Sequence, residues 1–108
     1  MANNMEKKYL PMTETAFYVL LSLMEERHGY GIMQHVEGIT DGRLQIGPGT
    51  IYGTLSKMEK DGLIKSKRQV DRRKTYVQTS LGRLILEKEI ARLNEMVRIS
   101  REMGVNDK

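Results

Sequence analysis

The spacing of apolar residues along the chain predicts four helices and a hairpin. Between residues 14 and 27, Ala16, Phe17, Val19, Leu20, Leu21, Leu23 and Met24 wrap nearly the whole circumference of a helix, and Thr13 is placed to cap it. A helix apolar all round must be covered on every side, and in so small a body part of that cover is expected from a second chain. After a turn signal at His28-Gly29-Tyr30-Gly31, Ile32, Met33, Val36 and Ile39 recur at helical spacing up to Thr40-Asp41-Gly42. Ile51, Leu55 and Met58 then form a narrow stripe on a helix that begins at Pro48, whose missing N–H costs nothing in a first turn, and ends before Gly62.

Leu63–Gln69 and Lys74–Gln78 read as two short strands joined by Val70-Asp71-Arg72-Arg73, with Ile64, Tyr76 and Val77 as their apolar surface. Thr79 caps a last helix that runs to about Met103, with Gly104 as its stop. At about 1.5 Å per residue this helix spans about 36 Å, more than a small domain is wide. Leu86, Ile90, Leu93 and Val97 form one stripe on it, and Leu81, Ile85, Met96, Ile99 and Met103 a second beside it. So broad an apolar arc predicts a symmetric homodimer with Phe17, Leu20, Leu21, Leu86, Ile90, Leu93 and Val97 at its interface. The alternative is a helix folded back over its own domain. Residues 1–11 are polar, end at Pro11, and read as a flexible N-terminal arm.

Composition narrows the classes. The chain has 108 residues, 39% of them hydrophobic and 30% charged, which suits one globular domain. With no cysteine there is neither a disulfide framework nor a thiolate metal site, in keeping with a cytoplasmic protein. The longest nearly apolar run, Ala16 to Met24, is about half the roughly 20 residues of a membrane span, and Met1 to Lys8 does not read as a signal peptide. Charge is unevenly spread: residues 43–83 carry ten Lys and Arg against three Asp and Glu, whereas 1–42 carry three against six and 84–108 five against five. A basic block of this kind is the footprint of a polyanion-binding face.

That block contains the candidate chemistry. On the helix from Pro48, Tyr52, Gly53, Ser56, Lys57 and Lys60 fall opposite the core stripe, with Thr50 at the helix start. Hydroxyls and a phenol can reach base edges or phosphates, and lysines neutralise phosphate. Gly53 costs about 1 kcal/mol relative to Ala in mid-helix, a cost explained by close approach of another surface. Free N–H groups near Gly49 and Thr50 also favour phosphate. The hairpin adds Lys65, Lys67, Arg68, Arg72, Arg73 and Lys74. Helices followed by a basic hairpin are the order of a winged helix-turn-helix, so the expected fold is mainly α with a small β-hairpin: 12–79 as a winged helix-turn-helix and 80–108 as a dimerisation helix and tail. Its third helix would enter the major groove of double-stranded DNA.

Three stretches, "HGYGI" at 28–32, "GTIYGTLSKMEKDGLI" at 49–64 and "RRKTYVQTSLGR" at 72–83, resemble the PadR family of bacterial transcriptional regulators, in its short form with a single C-terminal helix. The resemblance covers residues 9 to about 103. It implies a dimeric repressor that binds an inverted-repeat operator and is released by a small-molecule or stress signal. It also implies DNA-binding roles for Tyr30, Tyr52, Lys57, Arg73, Lys74 and Tyr76. Relatives that sense drugs use a tryptophan of the last helix; this chain has none, and Leu93 stands at the matching position.

Other chemistry finds little support. Gly47-Pro48-Gly49-Thr50 lacks the Gly-Lys-Ser/Thr ending of a phosphate-binding loop. His28 and His35, seven apart across a turn, read as structural histidines rather than metal ligands. No catalytic arrangement, cofactor or metal is expected. Met12, Met24, Met96 and Met103 read as core filling, with an adaptable pocket as the alternative. The competing function is a winged helix that docks proteins or RNA. Only Tyr52 and Tyr76 of the aromatic residues lie in the basic block, where an RNA-stacking platform would need more.

Overall fold

The computed structural model describes residues 2–107. It contains α1 (Ala2–Tyr9), α2 (Glu14–Ser22), β1 (Arg27–His28), α3 (Gly29–Ile39), α4 (Pro48–Lys60), β2 (Ile64–Val70), β3 (Arg73–Gln78) and α5 (Ser80–Glu102). The strands form one antiparallel sheet in the order β1-β3-β2. Mainly helical with a small sheet, this is the expected winged helix-turn-helix with a long last helix. One core holds Val19, Leu20 and Leu23 of α2 and its exit, Ile32 and Val36 of α3, and Ile51, Leu55 and Met58 of α4. Tyr9, Ile46, Leu63, Ile64, Tyr76, Ile85 and Leu86 complete it.

The caps follow local chemistry. Thr13 Oγ1 accepts the Ala16 N–H at 3.0 Å, and Thr79 Oγ1 accepts the Gly82 N–H at 3.1 Å. Thr79 also donates to the Gly62 carbonyl at 2.6 Å, which fastens the start of α5 to the end of α4. Gly62 itself takes φ +82°, the left-handed conformation that ends α4 cheaply after its C-cap Asp61. The wing turns without glycine: Asp71 and Arg72 adopt φ +51° and +67°, as a two-residue hairpin of the I′ type requires.

Three expectations need correction. Residues 2–9 of the supposed loose arm are helical, and Tyr9 is buried. Its phenol donates to Asp61 Oδ2 at 2.7 Å, and Lys8 Nζ lies 2.8 Å from Asp61 Oδ1. Met1 lies outside the described residues. Helix α2 stops at Ser22 rather than reaching 27, and carbonyls at its C-terminal end bond to β3. The Gln78 N–H donates to the Leu23 carbonyl at 2.8 Å and Gln78 Nε2 to that of Leu20 at 3.0 Å. The chain beyond is thus drawn into the sheet as β1, opposite Thr75 and Tyr76. Finally, Leu20 and Leu86, expected between two chains, are covered by their own: α3, α4 and the first turns of α5 pack against α2, and α1 packs against α5.

Helix α5 divides into two parts. Its first turns are held in the body through Gly82, Ile85, Leu86 and Glu89. Beyond residue 89 it runs on into solvent, with Ile90, Leu93, Met96, Val97, Ile99 and Met103 exposed. Met24 is exposed as well, so of the four methionines read as core filling only Met12 packs against the core. No described helix is long and apolar enough to cross a membrane.

Candidate nucleic-acid interface

Helix α4 presents its two faces as its sequence divides them. Ile51, Leu55 and Met58 are buried, while Thr50, Tyr52, Gly53, Ser56, Lys57 and Lys60 are exposed. Gly47 caps the helix without a side-chain hydrogen bond, so the N–H groups of the first turn stay available to a ligand. Nothing lies within 4 Å of where a Gly53 β-carbon would stand, which leaves this face flat for close approach. Lys57 is steadied from behind, its Nζ 5.3 Å from the centre of the Tyr9 ring.

The wing stands beside this helix. A cleft of about 310 Å³ separates them, lined by His28, Gly29 and Tyr52 on one side and Arg72, Arg73, Lys74 and Tyr76 on the other. Arg68, Arg72, Arg73 and Lys74 are all exposed. Two of them have carboxylate partners: Arg68 Nε lies 2.7 Å from Glu26 Oε2, and Lys74 Nζ lies 3.5 Å from Glu59 Oε1. The hydroxyl of Thr75 and the guanidinium of Arg68 hold Glu26 below the usual carboxylate range, as Ser66 and Lys74 do for Glu59.

Tyr76 is corrected as a DNA-contacting residue. It sits on the central strand, opposite Arg27 and Ser66, and turns into the core with 8% of its surface exposed. Its ring supports the site from below, with Lys74 Nζ 5.5 Å from its centre. Tyr30, at the start of α3, is 53% exposed and free to reach a ligand. Of the residues assigned to a dimer interface, Phe17 and Leu21 are partly buried against the core, and Ile90, Leu93 and Val97 are exposed on the outer half of α5.

The fold and the exposed, hydroxylated and cationic face of α4 agree with the comparison with known families. The chain belongs to the PadR-like family of transcriptional regulators, whose pattern matches residues 18–88. That span runs from α2 into α5 and takes in the helix-turn-helix and the wing. PadR-like folds recur among solved structures. A transcriptional regulator from Clostridium thermocellum superposes with a TM-score of 0.71 at 22% identity, over 83% of this chain and 92% of that one. A PadR-like regulator from Bacillus cereus gives 0.68 at 20%, over 85% and 93%, and a PadR family regulator from Eggerthella lenta gives 0.69 at 20%, over 95% and 88%. An uncharacterized 37.1 kDa protein of transposon TN4556 from Streptomyces fradiae is 34% identical over 73 residues, which cover 68% of this chain but only 20% of that protein.

Sequence reading alone missed His28, Gly29, Glu26, Glu59 and Tyr9. His28 is the N-cap of α3: its Nδ1 accepts the Gly31 N–H at 3.1 Å, which leaves Nε2 to carry the ring proton in the neutral form. His35 is structural too, 2.8 Å from Ser22 Oγ, and burial pulls its pKa down. A histidine directly before Gly-Tyr-Gly is a legible cap signal. The acids give a weaker one, as isolated carboxylates next to a basic hairpin.

Proposed function

We propose that the chain binds double-stranded DNA as a homodimer and regulates transcription from an inverted-repeat operator. In this reading α4 enters the major groove with Thr50, Tyr52, Gly53 and Ser56 at base edges and Lys57 and Lys60 at phosphates. Tyr30 and the wing residues Arg68, Arg72, Arg73 and Lys74 flank it on the backbone. The observation that carries the reading is the uncovered polar face of α4 set beside a basic wing across an open cleft. Ile90, Leu93 and Val97, an exposed stripe continuous with buried Leu86, support dimerisation through the outer half of α5. Repression lifted by a small molecule or stress signal is the mode that fits the family.

A gel-shift series with the protein's own upstream region tests this. A retarded band that weakens steeply with rising salt is expected, because phosphate neutralisation releases counterions. Absence of any band at low salt would remove the reading. Binding that tolerates loss of Arg72 and Arg73 together would favour a protein-docking winged helix instead.

A further inference from the structure

Among the described residues, two carboxylates from outside the basic hairpin bond to it, and both hold the wing. Glu59, in the last turns of α4, accepts the Ser66 hydroxyl of β2 at 2.5 Å and lies 3.5 Å from Lys74 Nζ on β3. It thereby ties the helix that faces the ligand to both strands of the wing. Glu26, between α2 and β1, accepts the Thr75 hydroxyl at 2.5 Å and Arg68 Nε at 2.7 Å. The wing needs such ties: every β2 residue after Ile64 is exposed, and a two-stranded ribbon is marginally stable by itself. The ladder is also broken between Ser66 and Arg68, where Lys67 is the extra residue of a bulge that bends β2. A carboxylate beside a polyanion site repels the ligand, so its presence there calls for a compensating task.

We propose that Glu59 is a positioning residue for DNA recognition. It sets the angle between α4 and the wing, so that both meet one stretch of duplex in register, while weakening general attraction to phosphate. The inference rests on the DNA-binding reading above. It predicts that specific binding weakens while nonspecific binding does not, which neither a plain charge effect nor a plain stability effect produces.

Fluorescence anisotropy at one salt concentration measures both, with two probes: the tightest duplex that the wild-type protein recovers from a random-sequence pool, and poly(dI-dC). Glu59→Gln is expected to bind poly(dI-dC) as tightly as wild type or tighter, yet to bind the selected duplex about tenfold more weakly. Ser66→Ala, which changes no charge, should leave poly(dI-dC) binding unchanged and weaken the selected duplex about threefold. Equal tightening of both probes by Glu59→Gln would mean that the glutamate acts only as a like charge and would overturn the proposal. Equal weakening, or an unchanged ratio in both variants, would overturn it too. If a circular-dichroism melt shows Glu59→Gln unfolded, Ser66→Ala decides alone. A wild-type protein that recovers no duplex sinks the DNA-binding reading and this inference together, whereas a wild-type ratio kept by both variants removes the inference only.

Discussion

The ring of Tyr52 lies directly on Gly29: a β-carbon at position 29 would fall 2.6 Å from Cε1 and 2.9 Å from the phenol oxygen. The first residue of α3 is thus the seat of a tyrosine on the exposed face of α4, and its missing side chain decides where that phenol points. The atoms that clash belong to the far end of a half-exposed side chain, so the ring can swing away while the backbone stays in place.

Gly29→Ala should therefore move Tyr52 without unfolding the chain. Stability should fall by about 1 kcal/mol or less, read as a small shift in a thermal melt. Sequence preference, read by competition between selected and random duplexes, should change by a larger factor. A large loss of stability with unchanged preference would show that the contact serves packing alone.

Gly82 presents the opposite case. A β-carbon there would stand 2.1 Å from the carbonyl oxygen of Leu63, which is backbone and has no rotamer to change. Gly82→Ala should force α5 off the body and destabilise by about 2–4 kcal/mol, measured by urea unfolding.

Glu89 is buried at the root of α5, where it takes both Arg92 Nε at 2.7 Å and Arg92 Nη2 at 2.8 Å and the Met12 N–H at 3.1 Å. The Arg92 guanidinium first, then the Met12 N–H, hold its carboxyl below the ordinary 4.5. Lys8 and then Tyr9 hold Asp61 below its own ordinary 3.8. A depressed folded pKa means that the unfolded chain takes up the proton first as pH falls. Stability from these groups is full above about pH 4.5 for Glu89 and about pH 3.8 for Asp61, and is lost as pH falls from there through the depressed folded values. Thermal melts should accordingly be flat down to about pH 5 and fall steeply at lower pH, with a shallower fall in Glu89→Gln. Glu89→Ala, which strands the Met12 N–H, should cost about 1–3 kcal/mol at neutral pH.

Leu93 and Val97 are 37% and 47% exposed and contribute little to the fold of one chain. Leu93→Lys or Val97→Asp should leave the thermal melt at low concentration nearly unchanged, yet halve the mass seen by light scattering. The resulting monomers should bind an inverted repeat poorly, since each half-site then has to hold alone.

Lys57→Ala should weaken binding to every duplex alike and lower the salt slope by about one, as loss of one phosphate contact predicts. Thr50→Val or Ser56→Ala should instead change which duplexes bind best. Equal effects of all three on selected and random DNA, measured by anisotropy, would reject this division of roles on α4.

Periodicity made α3, α4, the hairpin and α5 legible, because their apolar residues recur at spacings that only one regular backbone can bring to one side, and because Pro48, Gly62, Thr79 and Gly104 punctuate the ends. The basic face of α4 was legible for the same reason: what is not in the stripe of Ile51, Leu55 and Met58 must point outward. What the sequence could not show depends on partners distant along the chain. Helix α2 ends where Gln78 captures its carbonyls, Tyr9 is buried because Asp61 waits some fifty residues later, and Tyr76 faces inward because its strand became the middle one of three. The pairing of Glu59 with Ser66 and Lys74 belongs to this second kind. Local periodicity decides which side of an element is apolar; only the packed body decides what that side meets, and so which charges remain free to face a ligand.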